Sequence, residues 1–385
     1  MNDITTKLQV FESPFKKGTY SRNVWDMQLF NGKIYIGQGN SANCGIDQNA
    51  GPIPITSFNP ANDTFTTEFT VDEEQIDIFK VLNGKLVIPG HDSRESWDLG
   101  NFYTLDNVTG SVWRKFRTIP RGIHVFDMEY CNGQLFAGLG TDFPVPSIVV
   151  SNDFGLTWTP AWTPIKQAYV YPDGSKYEYY LNQRWSSMFE FKGTVYAVGA
   201  VSNFYVSEPN TIKKFDGKTF ITAFKSGVLI PDVLRAPGTG RKIIRTTKFG
   251  DKLLYIGAIP DNDQQSLPGN LYMTSDIANC KYIALPDVNA KPMDILVRGN
   301  KAYVLSHIKP DANYTNIVYE STDLITWTET LRFTRDTFAR SFEEYDGVFY
   351  FGLGTNISTG VAPASTGTIL RARYVCPSIK YCTLK

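Results

Sequence analysis

One cassette repeats down this chain. It stands first at Val24 to Gly37 as VWDMQLFNGKIYIG: an apolar run, an Asn-Gly pair, a second run of alternating residues and a closing Gly. Asn-Gly supplies the positive φ angles of a type I′ turn, whose twist matches two antiparallel strands, so the cassette predicts a hairpin of strands A and B. Cognate stretches begin at Asn83 (NGKLVIPG), Asn132 (NGQLFAG), Lys192 (KGTVYAVG), Gly250 (GDKLLYIG), Gly299 (GNKAYVLS) and Asp346 (DGVFYFG), seven copies in all. Their spacing of about 50 to 60 residues is that of a propeller or solenoid.

Each B strand leads through a Gly/Pro-rich loop into a second strand pair, C and D, as in PITSFNPANDTFTTEFTV from Pro54 and TIKKFDGKTFITAF from Thr211. Aromatics at 14% of the chain, with 31 Gly and 21 Pro as punctuation, fit an all-β fold. The expected architecture is one domain over 1–385, a seven-bladed β-propeller of four-stranded antiparallel blades. The blades should start near 23, 75, 123, 184, 241, 292 and 338, with a tail at 374–385. The seventh copy lacks a D strand, and KLQVFES at residues 7–13 resembles the D strands elsewhere. The amino-terminal strand is therefore expected to complete the last blade, because radial closure removes the exposed edges of a sheet.

Lys plus Arg and Asp plus Glu are each 38, which gives no reason to expect nucleic acid as a partner. The first residues lack the pattern of a secretory signal, and no stretch has the apolar length to span a bilayer. The expectation is a soluble protein made in the cytosol, without membrane insertion; a chain of this composition also suits a bacteriophage virion or tail component. Cysteines at 44, 131, 280, 376 and 382 show no metal-ligand spacing. Whether Cys376 and Cys382 form a disulfide is left open by their spacing.

The third C–D turn reads SNDFGLTW from Ser151, with Ser151, Asp153, Gly155, Thr157 and Trp158 in the pattern S-x-D-x-G-x-T-W. It resembles the Asp box of sialidase-type (BNR-repeat) propellers. STDLITW at Ser321 is a partial echo, and SDIANCKY at Ser275 a weaker one. The resemblance implies a structural turn on the outer rim. It would also imply sialidase chemistry, with three arginines on a carboxylate, a Tyr activated by Glu and an Asp as acid/base. The early R-I-P motif of those enzymes is missing, and TIPRG at Thr118 does not replace it.

The D–A and B–C connections share one face, and here they are the long loops, so that face is the expected binding site. Near the A strands lie Arg22, Arg121, Arg184, Arg241, Arg245, Lys291 and Arg340. They would either grip a carboxylate or sulfate or pair with carboxylates on a solvated rim. Trp25 stands beside the first of them. Within the A strands Asp26, Asp77, Asp127 and Asp294 recur, with Ser187, Thr246 and Ser341 near the equivalent position. Facing the channel, the carboxylates could bind a cation or act as acid and base; alternatively they bond to backbone amides of the neighbouring blade.

Features that break the repeat are better candidates for function. Residues 169–185 hold Tyr169, Tyr171, Tyr177, Glu178, Tyr179, Tyr180, Arg184 and Trp185, a cluster suited to stacking on sugars or to a protein partner. The histidines are His91, His124 and His307; His91 lies in HDSRESWD, and His124 is placed to be oriented by Asp127. Two readings follow. One is a non-catalytic binding or assembly module that recognises a glycan or protein through the long-loop face, within a larger assembly. The other is a glycoside hydrolase or lyase acting on an acidic sugar, with Asp26, Asp127 or His124 as the acid/base candidates. No cofactor is expected beyond a cation in the central channel.

Overall fold

The structure is a computed structural model that describes residues 3–12, 23–40, 51–140, 145–181, 184–200, 211–225, 229, 242–260, 266–355 and 362–373. It is an all-β propeller of small antiparallel sheets. The first meander is Asp26–Phe30, Lys33–Gly37, Ile53–Asn59 and Thr64–Val71; the second is Lys80–Leu82, Lys85–Pro89, Leu99–Asp106 and Arg114–Pro120. The third (His124–Cys131, Gln134–Gly140, Ile148–Ser151, Thr159–Trp162) and the fourth (Arg184–Phe191, Thr194–Ala200, Thr211–Phe215, Phe220–Lys225) follow. The fifth is Lys242–Phe249, Lys252–Pro260, Ser266–Thr274 and Cys280–Ile283, and the sixth Lys291–Arg298, Lys301–Ile308, Tyr314–Ser321 and Thr328–Arg335. The last sheet joins Phe338–Tyr345, Val348–Gly354 and Ile369–Arg373 to the amino-terminal strand Gln9–Glu12, which pairs antiparallel with Ile369–Arg373.

The sheet pairing differs from seven separate blades. Five sheets are four-stranded and separate, whereas the third and fourth meanders merge into one eight-stranded sheet. A single residue pair, Gly140 with Arg184, makes that junction.

Apolar side chains fill the spaces between successive meanders. Ile53, Ile55 and Val71 meet Ile88, Tyr103 and Trp113 across the first such space, and Phe333 meets Phe351 and Leu370 across a later one. Val24, Ile34, Ile36 and Phe58 join the first meander to Tyr350 and Ile369 of the last. Alternation puts both faces of each sheet in contact with a neighbour, which is why the B strands read as nearly unbroken apolar runs.

The closing Gly of the cassette has a steric cause. A Cβ on Gly37 would stand 2.6 Å from the Ile76 carbonyl oxygen, and one on Gly352 would stand 2.2 Å from Val24 Cγ1. The segment leading into the next meander's first strand passes there, and only Gly admits it.

The turn at Ser151 is held by its own side chains. Gly155 N–H donates to Ser151 Oγ (2.7 Å), Thr157 N–H to Asp153 Oδ1 (2.9 Å) and Thr157 Oγ1–H to Asp153 Oδ2 (2.6 Å). These bonds hold the Asp153 carboxyl down at about 2. Trp158 Nε1–H donates to Thr118 Oγ1 of the preceding meander at 3.0 Å. At Ser321 the bonds recur, with Leu324 N–H on Ser321 Oγ (2.9 Å) and Thr326 N–H on Asp323 Oδ1 (2.7 Å). A third turn uses Thr274, whose Oγ1 accepts from Ile277 N–H at 3.0 Å, so the anchor is Thr274 and not Ser275. Phe154, Ile277 and Leu324, three residues after each anchor, all have positive φ (54°, 61° and 62°).

Candidate functional site

Five A strands carry a register shift just before one inward position, occupied by Asp127, Ser187, Arg245, Asp294 and Ser341. The side chain there ties its own meander to the next. Met188 N–H donates to Asp127 Oδ2 at 2.7 Å, and Phe342 N–H to Asp294 Oδ2 at 3.1 Å. Ser341 Oγ–H donates to the Val24 carbonyl at 3.1 Å, and Ser187 Oγ–H bonds to that of Ile243. Asp26 belongs to the same set, because Phe79 N–H donates to its Oδ2 at 2.7 Å. The pattern moves two expected positions by one residue: Arg245 rather than Thr246 holds the fifth site, and Ile78 rather than Asp77 precedes the donor Phe79.

Two half-buried cations complete this inner layer. The Arg245 guanidinium reaches from the fifth meander to Asp294 Oδ1 (3.1 Å), Asp26 Oδ1 (3.3 Å) and the Trp25 carbonyl (2.8 Å). Lys80 Nζ meets Asp127 Oδ1 (2.8 Å) and the carbonyls of Met128 (2.8 Å) and Met188 (2.7 Å). Burial pushes the Asp26 carboxyl up to about 7, opposed by Arg245 and reinforced by Asp294; burial likewise raises Asp127, against Lys80. Among the described residues no group of three or more His, Cys, Asp or Glu is arranged to hold a metal ion.

Among the described residues, the cations of the expected ring have differing surroundings. Arg245 is taken up by two carboxylates. Arg340 is buried, with its guanidinium 4.0 Å from the Trp25 ring centroid and Nη2–H donating to the Thr355 carbonyl at 3.1 Å. Trp25 itself donates Nε1–H to the Gly39 carbonyl at 2.7 Å. Arg121 is exposed in the left-handed region (φ 53°), its Nη1 3.9 Å from Asp98 Oδ1; Lys291 is also exposed, and Arg184 is half-buried. Arg22 and Arg241 lie outside the described residues, as do Cys44, Cys376 and Cys382, while Cys131 and Cys280 are free thiols.

Residues 165–181 form a hairpin of their own rather than a loop. Ile165–Val170 pairs with Lys176–Leu181 in register from Ile165/Leu181 to Val170/Lys176, as a sheet separate from the meanders. Tyr171, Tyr177 and Glu178 lie at its distal part, Tyr177 and Glu178 exposed, with Lys166 Nζ 2.5 Å from Glu178 Oε2. Tyr169, Tyr179 and Tyr180 belong to its strands. Trp185 does not join this group. It is fully buried at the start of the fourth meander, donating Nε1–H to Ser147 Oγ at 3.0 Å.

The sequence did not show that His91, Asp92, Asp77 and His124 come together as a polar cluster. The short strand His91–Ser93 pairs with Glu73–Gln75, which brings four groups into a row. Asp77 Oδ2 lies 2.8 Å from His91 Nδ1, and Asp92 Oδ1 lies 2.5 Å from His124 Nδ1. Asp92, not Asp127, therefore orients His124. Phe126 stacks on His124 (centroids 5.2 Å apart) and meets His91 edge-on (5.4 Å). Asp92 adopts φ 60°, and its carboxyl is held low because the His124 bond and both imidazoles outweigh its burial. Behind it Glu73 is fully buried, accepting from Asn101 Nδ2–H (2.7 Å) and Tyr103 O–H (3.0 Å), and burial pushes its carboxyl up to about 7. The fragment HDSRESWD held the signal, but the pairing partner EEQ sits in an unremarkable stretch.

No protein-family model and no curated protein matches the sequence. Among solved structures, the chain resembles an ulvan lyase of a new polysaccharide lyase family, with a TM-score of 0.53, 10% identity, and coverage of 93% of this chain and 94% of that one. It resembles a virginiamycin B lyase from Staphylococcus aureus, crystallised as an inactive His-to-Ala variant with quinupristin (TM-score 0.50, 12% identity, 91% and 94% covered). It also resembles a chain of the mitotic checkpoint complex (TM-score 0.50, 10% identity, 94% and 92% covered). Likeness at these identities establishes the shared fold and no shared activity.

Proposed function

We propose that the protein is a non-catalytic binding or assembly propeller that recognises a glycan or protein partner through its long-loop face, with the 165–181 hairpin as the projecting element. One observation carries this reading. Asp26, Asp127 and Arg245, which acidic-sugar chemistry would need, are engaged in bonds between meanders, Arg245 with Asp26 and Asp294, and Asp127 with Lys80. Exposed Tyr177 and half-buried Tyr171 offer stacking area on the hairpin instead. In this reading residues 1–385 are one domain, and the eight-stranded sheet is two blades joined at Gly140–Arg184. The ring then has seven blades and is closed by Gln9–Glu12. The Ser151 turn is a structural Asp box, and Arg245 and Lys80 supply positive charge to the inner layer. The deciding experiment is a glycan array and a partner pull-down with the full chain and with a variant whose residues 165–181 are replaced by a short Gly-Ser turn. Binding lost with an unchanged melt supports the proposal; binding retained by the variant refutes it.

A second reading, cleavage of an acidic sugar, draws support from the 2.5 Å approach of Asp92 to His124. A carboxylate on Nδ1 leaves Nε2 as a base. Product formation from acidic oligosaccharides, abolished by His124→Ala, would establish it.

A further inference from the structure

On the opposite face, where the A–B and C–D turns lie, a cleft of about 570 Å³ opens at the seam between the two ends of the chain. That volume falls within the usual span of small-molecule sites. Three parts of the chain wall it: Lys7 and Gln9 from the amino-terminal segment, Pro60 to Asp63 from the first C–D turn, and Tyr345, Asp346, Val348, Tyr350 and Arg371 from the last sheet. Its floor is fixed. Arg371 donates Nη1–H to Asp63 Oδ1 (2.7 Å) and Nη2–H to Gln9 Oε1 (2.8 Å), while its guanidinium lies 4.4 Å from the Phe11 ring centroid. Half-buried Tyr345 packs against the apolar cluster that joins the first and last sheets, so its ring is held in place.

We infer that this cleft is a binding site for a neutral mono- or disaccharide. Two cations (Lys7, Arg371) and two carboxylates (Asp63, Asp346) cancel in formal charge, which disfavours an ionic ligand. The remaining groups, Gln9, Asn62 and the two tyrosines, include both donors and acceptors. A sugar hydroxyl is donor and acceptor at once and suits such a lining, and the Tyr345 ring offers a face for stacking. The Lys7 ammonium and the Asp346 carboxylate make no ion pair among the described residues, and they stand on different walls, one from each end of the chain. A saccharide bridging them would also tie the amino-terminal segment to the last sheet. The site is independent of the recognition proposed for the long-loop face.

The test uses the full chain with glucose, galactose, N-acetylglucosamine and lactose, read by saturation-transfer NMR and by melting. The expected result is saturable binding of at least one of them, with a Tm rise of about 2–3 °C well above its Kd. The apparent Kd should rise about tenfold in Lys7→Ala and in Asp346→Asn. Asp346→Asn keeps the turn, because Asn31, Asn83 and Asn132 hold the same left-handed position in other hairpins. Binding of none of the four overturns the inference, as does binding untouched by either variant. Preferential binding of sulfate or glucuronate at the cleft would overturn it too, in favour of an anion.

Discussion

Arg245→Met tests whether the inner layer is scaffold. The substitution preserves much of the side-chain volume and removes the cation that Asp26 and Asp294 share at 3.3 and 3.1 Å. Both carboxylates are buried, and leaving a buried charge unpaired costs about 3–5 kcal/mol. For a chain of 385 residues the unfolding entropy is about 0.8 kcal/mol per degree, so the melt should fall by about 4–6 °C. The loss should depend on pH. Asp26 already has a folded pKa near 7, above its unfolded value of 3.8, and Arg245 is what holds it from rising further. In the variant the folded carboxyls bind protons more readily, which relieves the unpaired charge in acid. The deficit should therefore be small near pH 5.5 and full at pH 8, measured by urea titration at both pH values. A variant as stable as the parent at pH 8, or equally destabilised at both, would show that Arg245 is not what balances the two carboxylates.

Three further outcomes are expected. Deleting residues 1–12 removes Gln9–Glu12 from Ile369–Arg373, exposes that edge, and should lower the melt and promote aggregation seen by light scattering. Gly352→Ala, whose Cβ would meet Val24 Cγ1 at 2.2 Å, should cost about 1–3 kcal/mol in urea titration, the range of overpacked cores. Glu73 and Asp26 both have folded pKa values raised to about 7, so the folded chain binds more protons than the unfolded one below that pH. Their contribution to stability is full below the unfolded carboxylate range and should fall as pH rises from about 5 to 7, by up to about 1.4 kcal/mol per pH unit for each group, then level off. In urea titrations across that range, Glu73→Gln should flatten the slope.

The scaffold was legible because its causes are local. Asn-Gly turns and the terminal Gly of the cassette mark each hairpin, and the steric contacts at Gly37 and Gly352 show why the Gly is needed. The role of Asp26 as a tie to the next meander was one of two readings open at the start, and its bond to Phe79 supports that one. What escaped was what pairing over distance creates. Arg245 occupies the position of the recurring Asp, yet Thr246 looked the better match, because the register shift in that strand leaves no mark in composition. Asp92 meets His124 only because His91–Ser93 pairs with Glu73–Gln75, and 32 residues of chain separate the two side chains. The merging of two meanders at Gly140–Arg184 rests on a single residue pair, too small a feature for any repeat count to register.

In the function proposed above, the long-loop face binds without performing chemistry. The most direct measurement is mass spectrometry of an acidic-oligosaccharide library after prolonged incubation with the full chain, with Asp26→Asn and Asp127→Asn run alongside. Intact oligosaccharides are expected in every sample, with any that bind recovered unchanged. Cleaved product from the parent chain, lost in either variant while the melt is unaltered, would contradict that function.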